Sequence, residues 1–354
     1  MRNGITVICA GYNEEKRADK FFKSVAMFDE IIFINRGCTD KTCEIAKKYN
    51  AIVVDMPHEI PEREHIESKK IINKVYNMAS NRWVINLTFA DIVHPKLYEK
   101  LIKTINKKDF DYTVVDVPWV EYLFGEEDEC IPRCHYSRPV LRRKDMIKDS
   151  VVTHHEMDVF KKKEYKMKKD KRVAVHHMTY FNLQYSFKEQ NVRYAIKEVE
   201  TYYKDLDNPK RAVIKQMMTE VKNDIEKIEG GKKQKKDKNI IKHARMICMY
   251  RSISYYMLIY LILWSEQKKV WTEKLFCDIY NCLDSQNNTK NQFTKIYFKI
   301  LKDIPKNTGE NIIALFFAIT IVVIMKKMYV WDNSKPEPVE KKYEAMKDSI
   351  LGDN

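Results

Sequence analysis

WVINLTFADIV, residues 83–93, is the stretch on which the reading of this chain turns. Its first half is a short apolar run bounded by polar residues, the pattern of a strand buried on both faces. Its second half is a polar turn with one carboxylate, Asp91. Upstream, apolar runs alternate with amphipathic stretches. ITVICA (5–10), EIIFIN (30–35) and AIVVDM (51–56) read as strands, and Arg82–Leu87 as the fourth. Glu15–Phe28 reads as a helix with Ala18, Phe21, Phe22, Val25 and Ala26 on one face. A second helix follows the turn GCTDKT (37–42), capped by Thr39 or Asp40, and runs to about Tyr49. His65–Ala79 and the residues after Pro95 read as further helices, and DYTVVDVPWVEY (111–122) as strand. Strands spaced by helices predict an α/β fold, a mostly parallel sheet between helices. Ligands of such sheets lie beyond the carboxyl ends of the strands. That rule points to Tyr12, Asn13 and Glu14 after the first strand, Asn35 after the second, and Thr88 to Asp91 after the fourth.

No GxGxxG and no GxxxxGK[ST] is present, which argues against a dinucleotide fold and a P-loop nucleotidase. The formal net charge is +14, concentrated in KKKEYKMKKDKR (161–172) and KKQKKDK (232–238). Such runs suit anionic surfaces: phospholipid, nucleic acid or sugar phosphates. A solvated lysine-rich loop is the plainer reading. The eight cysteines are scattered, and Ile5–Ala10 is too short for the apolar region of a secretory signal. Reduced thiols and a cytoplasmic location are expected.

The N-terminal half resembles the family-2 glycosyltransferases, which have the GT-A nucleotide-diphospho-sugar transferase fold. The resemblance rests on YNEE (12–15), the G-x-T-D-x-T turn (37–42) and IAKKY-x-A (45–51), and continues through Asn73, Ala79 and Trp83. RPVLRRKD (138–145), THHE (153–156) and AVHHMTY (174–180) are similar to a bacterial branch that builds lipopolysaccharide core or other cell-envelope glycans. The family implies transfer of a sugar, with inversion, from a nucleotide diphosphate donor that is usually UDP-linked. Backbone at Ala10–Tyr12, with Asn13 and Glu14, would line base and ribose. Asn35 stands where the family has an aspartate that reads the base. Glu156 is the candidate general base beside His155, because an acceptor hydroxyl needs a carboxylate to take its proton. Arg142, Arg143 and His177 are candidate contacts to the donor.

The family's metal motif, Asp-x-Asp, falls on Thr88 and Ala90, so both carboxylates are replaced. Asp91 is the neighbouring acid that remains. Three readings follow. Asp91 with Thr88 holds a magnesium or manganese ion; arginine, lysine or histidine replaces the metal; or the site binds without turnover.

Residues 1–200 are thus expected to form the GT-A domain. Residues 201–331 read as a helical, partly apolar extension, and 332–354 as a loosely held polar tail. Ile253–Trp264 is too short to cross a bilayer, and Ile312–Met325 would reach roughly 21 Å against the ~30 Å of a hydrocarbon core. Lys326, Lys327, Tyr329 and Trp331 flank the latter like an interface. Peripheral or short-span association with the inner face of the cytoplasmic membrane is expected, with a lipid-linked or glycan acceptor. The alternatives are a transferase acting on modified nucleic acid, which the basic charge suits, and a catalytically silent binding protein.

Overall fold

The computed structural model describes residues 2–57, 75–127, 136–147, 162–179, 193–203, 205–230, 238–268, 304, 308–333 and 338–352. The chain divides into two compact units. The first comprises 1–122, 135–179 and 342–354, and the second 123–134 and 180–341.

In the first unit, β1 (Arg2–Gly11), β2 (Glu30–Asn35), β3 (Ile52–Asp55) and β4 (Asn81–Asn86) pair in parallel, in the order β3-β2-β1-β4. The register sets Gly11 beside Asn35 and Asn35 beside Asp55, so three strand ends finish level. The other half of the sheet is built differently. β7 (Ser137–Arg143) runs antiparallel to both β4 and β6 (Val114–Leu123). β9 (Val175–Thr179) runs antiparallel to β5 (Asp91–Val93), and β8 (Glu164–Lys166) lies parallel to β6. In the strand order β9 lies between β6 and β5.

The helices follow from the apolar spacing. In α1 (Glu15–Val25), Ala18, Phe21, Phe22 and Val25 recur at helical intervals and are buried, whereas Ala26 lies past the helix end and is exposed. α2 spans Thr42–Lys48, and α3 spans Pro95–Ile105 with Pro95 in its first turn. The α3 cap is His94, whose Nδ1 accepts from Lys96 N at 3.1 Å. Phe89 is a plug in the core: its ring lies 4.8, 5.6 and 5.7 Å from those of Phe21, Phe22 and Phe33. Most of the expected helix from His65 lies outside the described residues; Val75–Met78 is helical.

The end of the chain is not a loose tail. Val339–Gly352 is a helix (α8 below), and within the first unit its Tyr343, Lys347 and Ile350 are buried at helical spacing. Tyr343 Oη donates to the Thr179 carbonyl at 2.7 Å. Lys20 on α1 reaches Glu344 at 2.9 Å and Asp348 at 2.7 Å. A polar composition hid an amphipathic period: the stretch is charged, but its few large apolar residues fall on one face.

The second unit is helical. α4 (Arg193–Glu198) continues as a π-helical turn, Val199–Tyr203, and is followed by α5 (Pro209–Gly230), α6 (Lys238–Lys268) and α7 (Gly309–Asn333). α6 packs against α5 and α7. Tyr260 meets Phe317 edge to face at 5.0 Å, and the Trp264 indole N–H donates to Asn311 at 3.0 Å. Two stretches, Arg245–Ser265 and Gly309–Met328, are long and apolar enough to cross a membrane by length and composition. Both exceed the apolar cores legible in the sequence, because each helix recruits less apolar flanking turns. Both are more than half buried within the protein, as core helices also are.

Candidate active site

The ends of β1 and β2 are tied together by side chains that the sequence already singled out. Asn13 sits at φ +55° and spans two loops. Its amide oxygen accepts from Thr39 N at 2.8 Å, its amide nitrogen donates to Thr39 Oγ1 at 3.2 Å, and its own N–H reaches Cys38 Sγ at 3.3 Å. Thr42 Oγ1 accepts from Glu14 N at 2.8 Å, and Asp40 takes Glu15 N at 3.0 Å. The Glu14 carboxylate pairs with Arg17 at the start of α1. Asn35 Oδ1 accepts from Gly37 N at 3.1 Å and Cys38 N at 2.8 Å, closing a turn in which Gly37 takes φ +94°. Ala10 is buried within β1, and Tyr12 is exposed beyond it.

The opening stretch resolves the fate of the lone acid. Thr88 is exposed, Phe89 fills the core, and Ala90 and Asp91 are buried. Asp91 is only 1% exposed, and its carboxylate is engaged from both sides. Oδ2 accepts from Thr88 N at 2.6 Å and Thr88 Oγ1 at 3.0 Å, and Oδ1 shares a hydrogen with His177 Nδ1 at 2.6 Å. The register of β5 on β9 sets Asp91 directly opposite His177. Burial disfavours the protonated imidazole of His177, but the charge and hydrogen bond of Asp91 outweigh it and raise its pKa.

This arrangement does not fit a protein-ligated magnesium or manganese ion. A cation bonding two ligand atoms at ~2.1 Å each needs room between them, and Asp91 and His177 are in direct contact. Ala90 has no side-chain ligand, and its carbonyl accepts from Met178 N at 2.8 Å. Among the described residues no group of three His, Cys, Asp or Glu side chains gathers to hold a metal.

Sequence reasoning missed the residues around His177. Trp119 on β6 is buried, and its ring lies 5.6 Å from the imidazole. Its indole N–H finds no hydrogen-bond acceptor among the described residues. The Arg138 guanidinium lies 5.0 Å over the Trp119 ring, a cation–π contact. The charges of Glu121 and Arg138 both act on His177, in opposite directions. Period-two alternation along VPWVEY does put Trp119 and Glu121 on one face, but β9 lies far away in sequence.

Other expected site residues are elsewhere. Arg142 and Arg143 pair with Val84 and Trp83 on β4, short of its carboxyl end. Arg142 is buried in the sheet, and Arg143 forks onto Asp145 at 3.1 and 2.5 Å. His155 and Glu156 lie outside the described residues. Of the lysine runs, 231–237 does too. The described part of the first, 162–172, is pinned by partners that include Asp111 on Lys163 at 3.1 Å and Lys100 on Asp170 at 3.1 Å.

Next to His177, His176 has the opposite environment. Its Nδ1 is 3.0 Å from Tyr122 Oη, and its Nε2 has no partner among the described residues. Burial, with the nearby His94, depresses its pKa from 6.5 to about 4. A histidine held neutral in the fold costs stability as pH falls below 6.5, where the unfolded chain gains the proton first, and the loss levels off near pH 4. The full loss is about 3 kcal/mol. His176→Phe should flatten this limb in urea titrations between pH 7 and 4; an unchanged acid limb would show that another group sets it.

Residues 6–162 match the family model described as "Glycosyl transferase family 2". That match takes in a little under half of the chain. The matched segment takes in β1 from Thr6 onward, all of β2, β3 and β4, and the Thr88–Asp91 turn. The chain is also similar to the uncharacterized glycosyltransferase YibD of Escherichia coli (strain K12), with 30% identity over 104 residues, 29% of each chain. It therefore spans less than a third of the length of that relative. Among solved structures it is similar to glucosyl-3-phosphoglycerate synthase from Mycobacterium tuberculosis. In the form holding Mn2+, UDP and glucosyl-3-phosphoglycerate, the identity is 22%, the TM-score 0.27, and the coverage 34% of this chain and 44% of that one. In the form with Mg2+ and UDP the identity is 21% and the TM-score 0.27, with 33% and 44% covered. A likeness of that size has no bearing on the site of this chain.

Proposed function

We propose that this chain is an inverting glycosyltransferase that moves a sugar from a UDP-linked donor to a hydroxyl of a lipid-linked or cell-envelope glycan. The observation that carries the reading is the level finish of β1, β2 and β3 within a family-2 segment, with the Asp91–His177 pair beyond β4. Such a row of strand ends is where an α/β sheet takes its ligand. Developing charge on the leaving diphosphate needs fixed donors. His177, held by Asp91, the Trp119 indole N–H, which has no acceptor among the described residues, and Arg138 are donors of that kind. Glu156 takes the acceptor proton in this reading. The donor set makes the reaction independent of a protein-held cation.

Membrane contact is supported by α7. Ile312, Phe316 and Val323 are 53%, 61% and 47% exposed along one side of that helix, and the exposed Lys326 and Lys327 follow. An apolar stripe ending in lysines suits an anionic lipid surface. Binding to vesicles containing anionic lipid measures it directly.

The activity test is a panel of nucleotide sugars, with and without EDTA, scored for donor hydrolysis and transfer. Turnover of a UDP-sugar that EDTA leaves unchanged is expected. Glu156→Gln should lower turnover by about 10²–10⁴-fold while UDP still binds. No turnover with any donor, together with no nucleotide binding, would overturn the enzyme reading; undiminished turnover in the variant would remove Glu156 as the base.

A further inference from the structure

One side of α5 carries an apolar row that its own fold leaves open. The inward face of this helix holds Val213, Met217 and Asp224, all buried, and α6 packs against the helix. Beside that face run Ile214, Met218, Val221, Ile225 and Ile228. Their spacing alternates four, three, four, three, the heptad seam of a two-helix coiled coil. At 3.6 residues per turn these side chains fall within about 80° of one another. Met218 and Ile225 are 63% and 42% exposed, and Ile214, Val221 and Ile228 are half-buried. A single exposed apolar residue is ordinary, but a continuous row marks a contact surface. The outer edge of the row is lined by Lys215, Lys222 and Glu229, all exposed and spaced seven residues apart.

We propose that α5 pairs with α5 of a second copy of this chain, antiparallel about a two-fold axis at Val221. That operation sets Ile214 on the second copy's Ile228, Met218 on its Ile225, and Val221 on its counterpart, so apolar residues meet along the whole seam. A two-fold contact must be self-complementary, and this row reads nearly the same in both directions. Lys215 then faces the second copy's Glu229 at both ends, opposite charge on opposite charge. The two copies of Lys222 come together at the axis, where each has Glu226 of its own helix at 3.8 Å. Parallel pairing would instead set Lys215 near Lys210 and Glu229 near Asp224, like charge on like. Charge also permits the approach: the chain carries +14, but Pro209–Gly230 has five Lys or Arg against four Asp or Glu. The helix is already formed in each copy, so pairing carries no cost of nucleating it.

The test is sedimentation equilibrium of the full chain at near-physiological salt. One helix per side makes a small interface, so a dimer with a Kd of roughly 1–100 µM is expected. Met218→Glu combined with Ile225→Glu, both at exposed positions, should preserve helical content and weaken the dimer by at least about 100-fold. Glu229→Lys should weaken it by about 10-fold, because two attractive pairs become repulsive. Adding Lys215→Glu to Glu229→Lys should restore the parent Kd. This charge swap leaves the apolar seam untouched, and a role for either residue within one chain would not produce the rescue. A chain still monomeric at about 500 µM, well above the expected Kd, would overturn the proposal. So would a dimer that Met218→Glu with Ile225→Glu leaves intact, which would place the contact elsewhere. A Glu229→Lys defect that Lys215→Glu does not repair would overturn it as well, because the two residues would then not face each other.

Discussion

Asp91→Ala is expected to cost about 3–5 kcal/mol of folding stability, the scale of removing one partner from a buried charged pair. The carboxylate is 1% exposed and serves Thr88 N, Thr88 Oγ1 and His177 Nδ1 at once. Without it, a backbone N–H, a hydroxyl and an imidazole lose their acceptor together. Domains are stable by only ~5–15 kcal/mol, so the variant should melt far below the parent. Asp91→Asn, which keeps an acceptor for Thr88 and gives up the charge, should lose less.

The pH dependence carries a sign. Asp91 raises the pKa of His177 above its ordinary 6.5, so the bond contributes most below pH 6.5 and its contribution fades as pH rises through the raised value. The stability gap between parent and Asp91→Ala should shrink across that range. Urea denaturation at pH 6 and pH 9 measures it. A gap under ~1 kcal/mol, or one that grows with pH, would mean that Asp91 does not hold His177 in this way.

Gly11→Val tests the other side of the same turn. A Cβ on Gly11 would fall 2.6 Å from Phe89 Cε2 and 2.8 Å from Glu14 Cγ. Phe89 cannot retreat easily, since it is 2% exposed and packed among Phe21, Phe22 and Phe33. Overpacking of this kind costs about 1–3 kcal/mol. Any shift of Phe89 also drags its neighbour Thr88 and the Asp91 cap, so nucleotide affinity should fall with stability. A second substitution, Phe89→Leu, should recover part of both losses, because contacting residues couple. Full UDP affinity in Gly11→Val would show that the Phe89 turn and the nucleotide site are independent.

Much of this was legible in the chain itself. The strands at Glu30–Asn35 and Ile52–Asp55 are short apolar runs between turn residues, and α1 repeats its buried face at Ala18, Phe21, Phe22 and Val25. The polar residues after β1 and β2 stand out as candidates because ligand sites in parallel sheets follow strand ends, a local rule. The amphipathic period of α8 was also present, under a charged composition. Less legible was which residues meet across sequence. Asp91 and His177 are 86 positions apart, and only the pairing of β5 with β9 makes them partners. Arg142 and Arg143 looked like anion binders by composition, yet strand direction carries them away from the carboxyl end of β4.

The sequence by itself determined the elements, the parallel half of the sheet and the presence of a single carboxylate, Asp91, in the turn after β4, because periodicity and residue type are local properties. Only the tertiary structure decided what that carboxylate does. Whether Asp91 faces a cation or a histidine depends on which strand lies beside it. Strand pairing fixes that through backbone hydrogen bonds, which leave no trace in the residues they join.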